Sequence, residues 1–585
     1  MLFGLFLCIG AVLAQTRVSG VVIAASDNQP LFGARVSADG GRSFTATDED
    51  GKFSLTIKGK NLNVTVSYLG MQSQTLKGAT DMKISLKDAQ SLGEVVVTGL
   101  TKTDRRMFTG AADKVDAATA RLSGVADVSR SLEGRAAGVS VQNVSGTFGA
   151  APKIRVRGAT SIFGASKPLW VVDGVIMEDV ANVDADNLAS GNAETLISSA
   201  IAGLNADDIE SFQILKDGSA TSIYGARAMS GVIVVTTKKG KQGQSHVNYT
   251  GEFTTRLIPS YSNFDILNSQ DQMSIYRELH DRGWLNFSEV LNGSDYGVYG
   301  HMYELINTFN PKTGQFALAN TEEARNAYLR QAEFRNTNWF KHLFSNAIMQ
   351  NHSVSLSGGT EKSNYYASMS AMLDPGWYKQ SDVNRYTANF NVTQQLLENL
   401  SFNVIGGASY RKQRAPGTLG QDVDVVDGEV KRDFDINPYS YALNTSRVLD
   451  PHTYYVANYA PFNIFNELDN NYIDLNVLDA KFQFELKYKP IKGLELAALG
   501  AFKYAATSQE HKIMENSNQA LTYRAMPNSI IRNSNRYLYR DPDHPYDLPM
   551  TVLPIGGVYH KNENRMSNYD IRTTATYTRT FAQKH

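Results

Sequence analysis

Only one cysteine, Cys8, stands among the 585 residues, so there is no disulfide framework and no set of thiols to hold zinc. No run reaches the roughly 18 consecutive apolar residues of a membrane helix, and any passage through a bilayer has to be made by strands. Basic and acidic residues balance to a net charge of -1, which gives no electrostatic ground for a nucleic-acid partner. G-x-x-x-x-G-K-S/T, H-E-x-x-H and C-x-x-C are all absent, which leaves nucleotide-phosphate and zinc chemistry without side chains. Lys312-Thr313-Gly314 echoes one fragment of a penicillin-binding signature without the strand context that signature needs. Neither an enzyme's constellation nor a cofactor site emerges. Proline is scarce as well, with 16 residues against 46 glycines, 29 tyrosines and 26 phenylalanines, a balance of strands and turns rather than of disorder.

What is present divides the chain. Residues 1–14 are apolar from Leu2 to Ala14 and end on Val12-Leu13-Ala14, the form of a secretory signal core with its cleavage site. The basic leader that precedes such a core is missing, so the true start is expected upstream. Residues 15–87 hold short alternating stretches (VSGVVIA, ARVSA, SFTATDEDGKFSLTI, LNVTVSYLG, MKISL) broken at Asp27-Asn28 and Asp50-Gly51, and this spacing predicts a small β-sandwich. Asp48, Glu49 and Asp50 carry calcium-type oxygen ligands, but a solvated hairpin turn accounts for them better.

The polar linker 88–103 is interrupted by Glu94, Val95, Val96, Val97, Thr98 and Gly99. High β propensity in a linker leaves both backbone edges free to join a partner's sheet as an added strand; the alternative is a last strand of the sandwich. From 104 to 241 the pattern is mixed α/β, with a helix-like run at 126–135 and strands at 138–142, 154–156, 170–172 and 209–215. Three segments stand out: IRVRG with Arg155, Arg157 and Gly158; LWVVDGV with Asp173 and Gly174; and a long unit, 207–239, holding Asp208, Glu210, Lys216, Asp217, Tyr224, Gly225 and Gly231.

Over 246–585 the alternation becomes regular. Ala480, Phe482, Phe484, Leu486 and Tyr488 are apolar, while Lys481, Gln483, Glu485, Lys487 and Lys489 between them are polar, and a period of two puts each set on its own face. About eight strands of membrane-spanning length are predicted, near 246–256, 350–358, 363–374, 383–394, 401–413, 477–489, 493–507 and 568–581. Tight joints follow the second, fourth and sixth, and joints of dozens of residues follow the first, fifth and seventh. Short turns on one side and long loops on the other mark an outer-membrane barrel rather than a soluble sandwich. Tyr365, Tyr386, Tyr488, Tyr504 and Tyr569 are expected toward strand ends as an interfacial girdle. Eight strands close on their own side chains, whereas barrels with a plugged lumen use about 22, so the barrel is expected to be incomplete and the chain part of a longer protein. The acidic loop with Asp422, Asp424 and Asp427 is a weak candidate for metal, and Trp284, Trp339 and Trp377 for sugar stacking or interfacial anchoring.

Taken in order, EVVVTG, IRVRG, LWVVDGV and the 207–239 unit resemble the plug of a TonB-dependent outer-membrane transporter of the SusC-like branch. The pattern V-x-G-x-V, P-L-x-G-A-x-V, T-D-x-D-G-x-F before them is similar to a carboxypeptidase regulatory-like domain, whose name carries no peptidase activity. The resemblance implies a mostly β protein of three parts: sandwich, α/β plug and partial transmembrane antiparallel barrel. It implies that 94–99 is a TonB box, and that Arg155, Arg157, Glu133, Asp173, Glu210 and Lys216 pair with one another or with the barrel wall, since they are costly to bury alone. The partners implied are TonB, a SusD-like surface lipoprotein, a glycan or oligopeptide substrate and outer-membrane lipid, with the sandwich and TonB box in the periplasm. A barrel-anchored binding or adhesion protein is the alternative reading.

Overall fold

The structure, a computed structural model, describes residues 16–579 apart from 26–28, 39–42, 58–61, 69–70, 72, 87–94, 100–101, 105–107, 109, 121–127, 143–151, 157–166, 179–200, 202, 418–421, 424–429 and 432–433. The expected signal 1–14 and the candidates Glu94, Arg157, Gly158, Asp424 and Asp427 lie outside the described residues. The chain forms two compact units, one of Met1–Val97 with Thr101–Thr109 and one of Thr98–Leu100 with Gly110–His585.

In the first unit, strands β1 (Thr16–Ala24), β2 (Arg35–Ala38), β3 (Ser43–Ala46), β4 (Lys52–Ile57), β5 (Asn63–Ser67), β6 (Gln74–Lys77) and β7 (Met82–Leu86) make two sheets, β4-β1-β7 and β3-β2-β5-β6. Along β4 the residues Phe53, Leu55 and Ile57 are buried and Lys52, Ser54 and Thr56 exposed. The buried set joins Val18, Val22, Val36, Val64, Val66, Ile84 and Leu86 in one core, each side chain contributing about 1.5–3 kcal/mol when fully removed from water. The Asp48 carboxylate accepts from the backbone N–H groups of Asp50 (3.1 Å) and Lys52 (2.7 Å), so the acidic triplet closes a tight turn, but one that carries the chain from β3 in one sheet to β4 in the other rather than the expected hairpin. Strand β6 was not foreseen, since QTLK is short and bears a single large apolar side chain. In the same unit β8 (Val95–Val97) pairs antiparallel with β9 (Lys102–Asp104). One edge of the expected free segment is therefore already taken.

The second unit opens with an α/β segment. Strands β10 (Ala112–Asp116), β13 (Leu169–Val172), β14 (Val175–Met177), β15 (Ile209–Leu215) and β16 (Val232–Thr237) form a sheet ordered β10-β15-β16-β13-β14, while β11 (Val139–Gln142) pairs with β12 (Lys153–Val156). The unbroken apolar run of β16 reflects its place between two neighbours: Val232, Ile233, Val234 and Val235 are all buried. The helix expected over 126–135 is a single 3-10 stretch, Val128–Leu132, among the described residues. It is too short to nucleate an α-helix of its own.

Eight long strands follow: β17 (Gly243–Arg256), β18 (Ala347–Gly359), β19 (Ser363–Asp374), β20 (Val383–Leu397), β21 (Leu400–Pro416), β22 (Asn471–Ile491), β23 (Leu494–Ile513) and β24 (Val558–Tyr577). They lie side by side in sequence order, every pair antiparallel. Register exposes the two faces. One row across the whole sheet reads Val247, Leu356, Ala367, Phe390, Gly406, Phe482, Phe502, Tyr569. The adjacent row, one residue along each strand, reads Asn248, Ser355, Ser368, Asn389, Gly407, Lys481, Lys503, Asn568. The apolar row faces outward, with Val247, Phe482 and Tyr569 exposed, and Ser368 and Lys503 of the polar row are buried. Toward the long loops the outward face turns charged, in the row Arg414, Asp474, Glu510, Lys561.

The long joints after β17, β21 and β23 carry helices, and those after β17 and β21 share apolar cores, which take in Trp339, Phe340, Leu468 and Ile464 in one cluster and Met302, Tyr303 and Val448 in another. Tyr365, Tyr386 and Tyr488 stand near strand ends as expected. Tyr504 and Tyr569 do not, because β23 and β24 begin or end well beyond them and leave both rings in the body of the strand.

Candidate functional site

The polar row of the sheet meets the α/β segment, and the meeting runs through backbone as much as through side chains. At the β13–β14 turn, Asp173 (φ 51) and Gly174 (φ 89) both take left-handed backbone. This turn presents three successive carbonyls to the sheet. Lys481 Nζ donates to Val172 O (3.1 Å), Gln483 Nε2 to Asp173 O (3.1 Å) and Arg572 Nη2 to Gly174 O (2.8 Å). The Asp173 carboxylate accepts from Thr237 N (2.9 Å) and Thr237 Oγ1 (2.8 Å) and lies 3.9 Å from Lys481 Nζ. A buried carboxylate is stabilised when its lone pairs are filled in this way.

Asp208 is the second contact. Its carboxylate is buried and accepts from Tyr366 Oη (2.8 Å) on β19 and Asn389 Nδ2 (2.6 Å) on β20, while the neighbouring Asn205 donates to Ser353 Oγ (3.2 Å) on β18. Desolvation pushes the Asp208 carboxyl above its ordinary range, against the lowering effect of these hydrogen bonds. A small cavity of about 50 Å³ lies beside it, lined in part by Asp173, Asp208, Asn389 and Lys481.

The other residues of the 207–239 unit shape the segment from within. Asp217 caps the following turn by accepting from Ala220 N (2.8 Å) and reaches across to Ala111 N (2.8 Å), while Lys216 forms an ion pair with Asp113 of β10. Gly225 (φ 63, ψ -151) makes a corner that an L side chain rarely adopts. At Gly231 (φ +92) a Cβ would lie 2.9 Å from Val156 Cβ, so the close approach of β12 needs hydrogen there. That corner presents Tyr224, whose hydroxyl donates to the Thr98 carbonyl. A Cβ on Gly99 would stand 2.5 Å from Tyr224 Oη and 2.9 Å from Val171 Cγ1. Thr98 and Gly99 thus pack on the α/β sheet itself.

The charges expected to pair with one another or with the wall divide three ways. Lys216 and Glu133 pair locally, the latter with Arg130 at 3.7 Å, and Asp173 reaches the wall. Arg155 is half-buried opposite Ser140. Glu210 is the one exposed residue of β15. Asp422 lies in a two-residue strand, and the described residues hold no cluster of three metal-ligating side chains. Trp339 is buried with its indole N–H on Ser446 O (3.1 Å), Trp377 packs on Phe344, and Trp284 is exposed. Sequence reading placed Lys481 and Gln483 on the polar face but not against specific partners, and it missed Tyr366, Thr237 and Arg572. The signal for Arg572 was its place in the last alternating strand.

Comparison with known proteins agrees with this arrangement. Residues 18–97 match the model of the CarboxypepD_reg-like domain, and residues 104–232 that of the TonB-dependent Receptor Plug Domain. The chain is 32% identical over 406 residues to the TonB-dependent receptor SusC of Bacteroides thetaiotaomicron, a match covering 69% of this chain and 35% of that protein. It is 29% identical over 412 residues to the TonB-dependent receptor P26 of Formosa agariphila, covering 70% and 35% respectively. Among solved structures, the RagAB peptide transporter superposes with a TM-score of 0.52 at 22% identity, over 70% of this chain and 42% of that one. The chain therefore spans little more than a third of the length of the curated relatives it matches.

Proposed function

From the premise that this chain is a SusC-like TonB-dependent receptor in sequence and fold, we propose that the protein imports an oligomeric nutrient, a glycan or an oligopeptide, across the outer membrane. The observation that carries this reading is the pair of adjacent rows on the eight-stranded sheet. An apolar outer row suits lipid, and a polar inner row docks a folded α/β plug through Asp208 and the 172–174 turn. Val95, Val96, Val97, Thr98 and Gly99, with Glu94 before them, supply the strand that TonB captures by pairing. One edge of β8 is occupied by β9, so capture uses the other edge or displaces β9. Work then enters from the inner membrane, which suits a sequence without a nucleotide site. A SusD-like lipoprotein at the surface is the partner on the loop side, and the N-terminal sandwich lies in the periplasm.

Deleting residues 94–99 from the full-length protein is the test. Import should be abolished while binding of the nutrient at the cell surface persists. Import that survives the deletion would favour the other reading, a barrel-anchored binding protein without energised transport.

A further inference from the structure

Charge on the outward face of the sheet gathers at the loop-side ends of four strands, β21 to β24. On β22 every second residue from Tyr488 to Leu478 is apolar and shares the face of Phe482. Ten residues of a strand tilted by about 40° rise roughly 26 Å, the height of the apolar band of an outer-membrane barrel. Charge begins where that band ends. The row Lys412, Asn476, Ser508, Glu563 lies between Arg565, one row nearer the band, and the row Arg414, Asp474, Glu510, Lys561, with Lys512 one row beyond. Continued across β17 to β20, the row of Lys412 reads Phe253, Gln350, Leu373, Asn384, and none of these carries a formal charge. The charge is therefore a local patch and not a ring around the rim.

Five basic side chains stand in the patch against three carboxylates. Asp474 binds both Arg414 (2.6 Å) and Lys512 (2.9 Å), and the Arg414 guanidinium lies 4.4 Å over the Tyr472 ring. Glu563 binds Lys561 (2.7 Å), with Arg565 at 3.7 Å. These pairs fix the cations in place without cancelling them. Lys412 is exposed and forms no ion pair among the described residues, and the Arg565 side chain is 72% exposed. Between these two cations the surface is floored by the small polar side chains of Asn476 and Ser508.

We infer that this patch binds the headgroup of a phosphorylated glycolipid in the outer leaflet, with Lys412 and Arg565 as the donors to phosphate and Asn476 and Ser508 facing the sugar. Three strand spacings of about 4.8 Å separate β21 from β24, a width that a sugar-sized headgroup bridges and a free phosphate ion does not. Depth selects the same occupant, because the cations begin at the level where lipid chains give way to headgroups. The inference rests on the reading of the sheet as a membrane wall and is independent of what the protein imports.

Full-length protein in dodecyl maltoside micelles, titrated with fluorescently labelled diphosphoryl lipid A, tests the patch. Wild type should bind saturably, and Lys412→Gln combined with Arg565→Gln should weaken binding by about thirtyfold, the summed worth of two cations at an anionic lipid surface. Glu563→Gln, which frees Lys561 and Arg565 from their carboxylate, should tighten binding severalfold, an outcome that loss of structure does not produce. Lys312→Gln combined with Lys341→Gln removes the same charge from exposed positions of the first long loop and should leave the affinity unchanged. Three results would each overturn the inference: equal affinity in the Lys412 and Arg565 double variant, equal affinity for lipid A stripped of its phosphates, or displacement by inorganic phosphate and not by chloride at the same ionic strength. Flotation with phosphatidylcholine vesicles checks the membrane wall separately. A protein that floats but fails the lipid A titration loses the patch alone, and one that does not float loses both.

Discussion

Asn389 donates its side-chain amide to the Asp208 carboxylate over 2.6 Å, tying the plug to the polar row of the sheet. Tyr366 completes the carboxylate's shell from the next strand at 2.8 Å.

Asp208→Ala leaves both donors facing an empty space in a buried junction, and the expected loss is about 2–3 kcal/mol, read as a lower denaturant midpoint and faster trypsin cleavage of the plug.

Acidity follows from the same residue. Burial raises the folded-state pKa of Asp208 above the ordinary carboxylate range. Its contribution is therefore fully present below the unfolded-state pKa and is lost as pH rises through the raised folded value. Asp208→Asn has no such titration. The stability of wild type relative to this variant should fall as pH is raised from the ordinary carboxylate range, and a flat difference would refute the linkage.

Phe482 lies on the outward row between Leu478 and Tyr488 and is half exposed. Phe482→Arg should cost about 2–4 kcal/mol in a lipid bilayer, as a charge near the midplane does, and reduce the yield of folded protein in liposome refolding. The same substitution at Ile555, an exposed loop position, should have little effect.

Arg256 and Asp374 meet in a two-pronged pair with both distances 2.8 Å, and the Asp374 side chain is fully buried. Asp374→Ala takes the carboxylate away from a mostly buried guanidinium and removes the acceptor of Gly376 N (2.9 Å). A loss of about 3–5 kcal/mol is expected, measured by urea unfolding. Replacing both partners with leucine should cost less than this single change.

Gly231→Ala must adopt φ +92 and push on Val156 from 2.9 Å. Strain and overpacking together predict a loss of about 2–4 kcal/mol and a lower yield of folded protein.

Much of this fold was legible in the alternation of side chains. Strand β19 and strand β15 occupy the ranges read from sequence, 363–374 and 209–215, because Ala367, Met369 and Ala371 alternate with Ser368 and Ser370 in one, and Ile209, Phe212, Ile214 and Leu215 supply a buried apolar set in the other. The ends of β22, β23 and β24 were less so. Near the loops their outward residues are charged, so the apolar period that marked the strand body stops before the strand does. The helices of the long loops escaped because they bury narrow faces against one another rather than against the sheet. Asp173, Gly174, Asp208 and Tyr224 were recognisable as a motif, but their partners were not. Lys481, Gln483 and Arg572 bind main-chain oxygens, and a carbonyl is the same at every position of a sequence.

A wall that holds its stopper by peptide oxygens is indifferent to most of the stopper's lettering. Val172 can become another apolar residue without loosening the grip of Lys481, whereas Gly174 cannot change without disturbing Gly99. Side chains of the stopper at such places are thereby free to vary, while the backbone path through Asp173 and Gly174 is not.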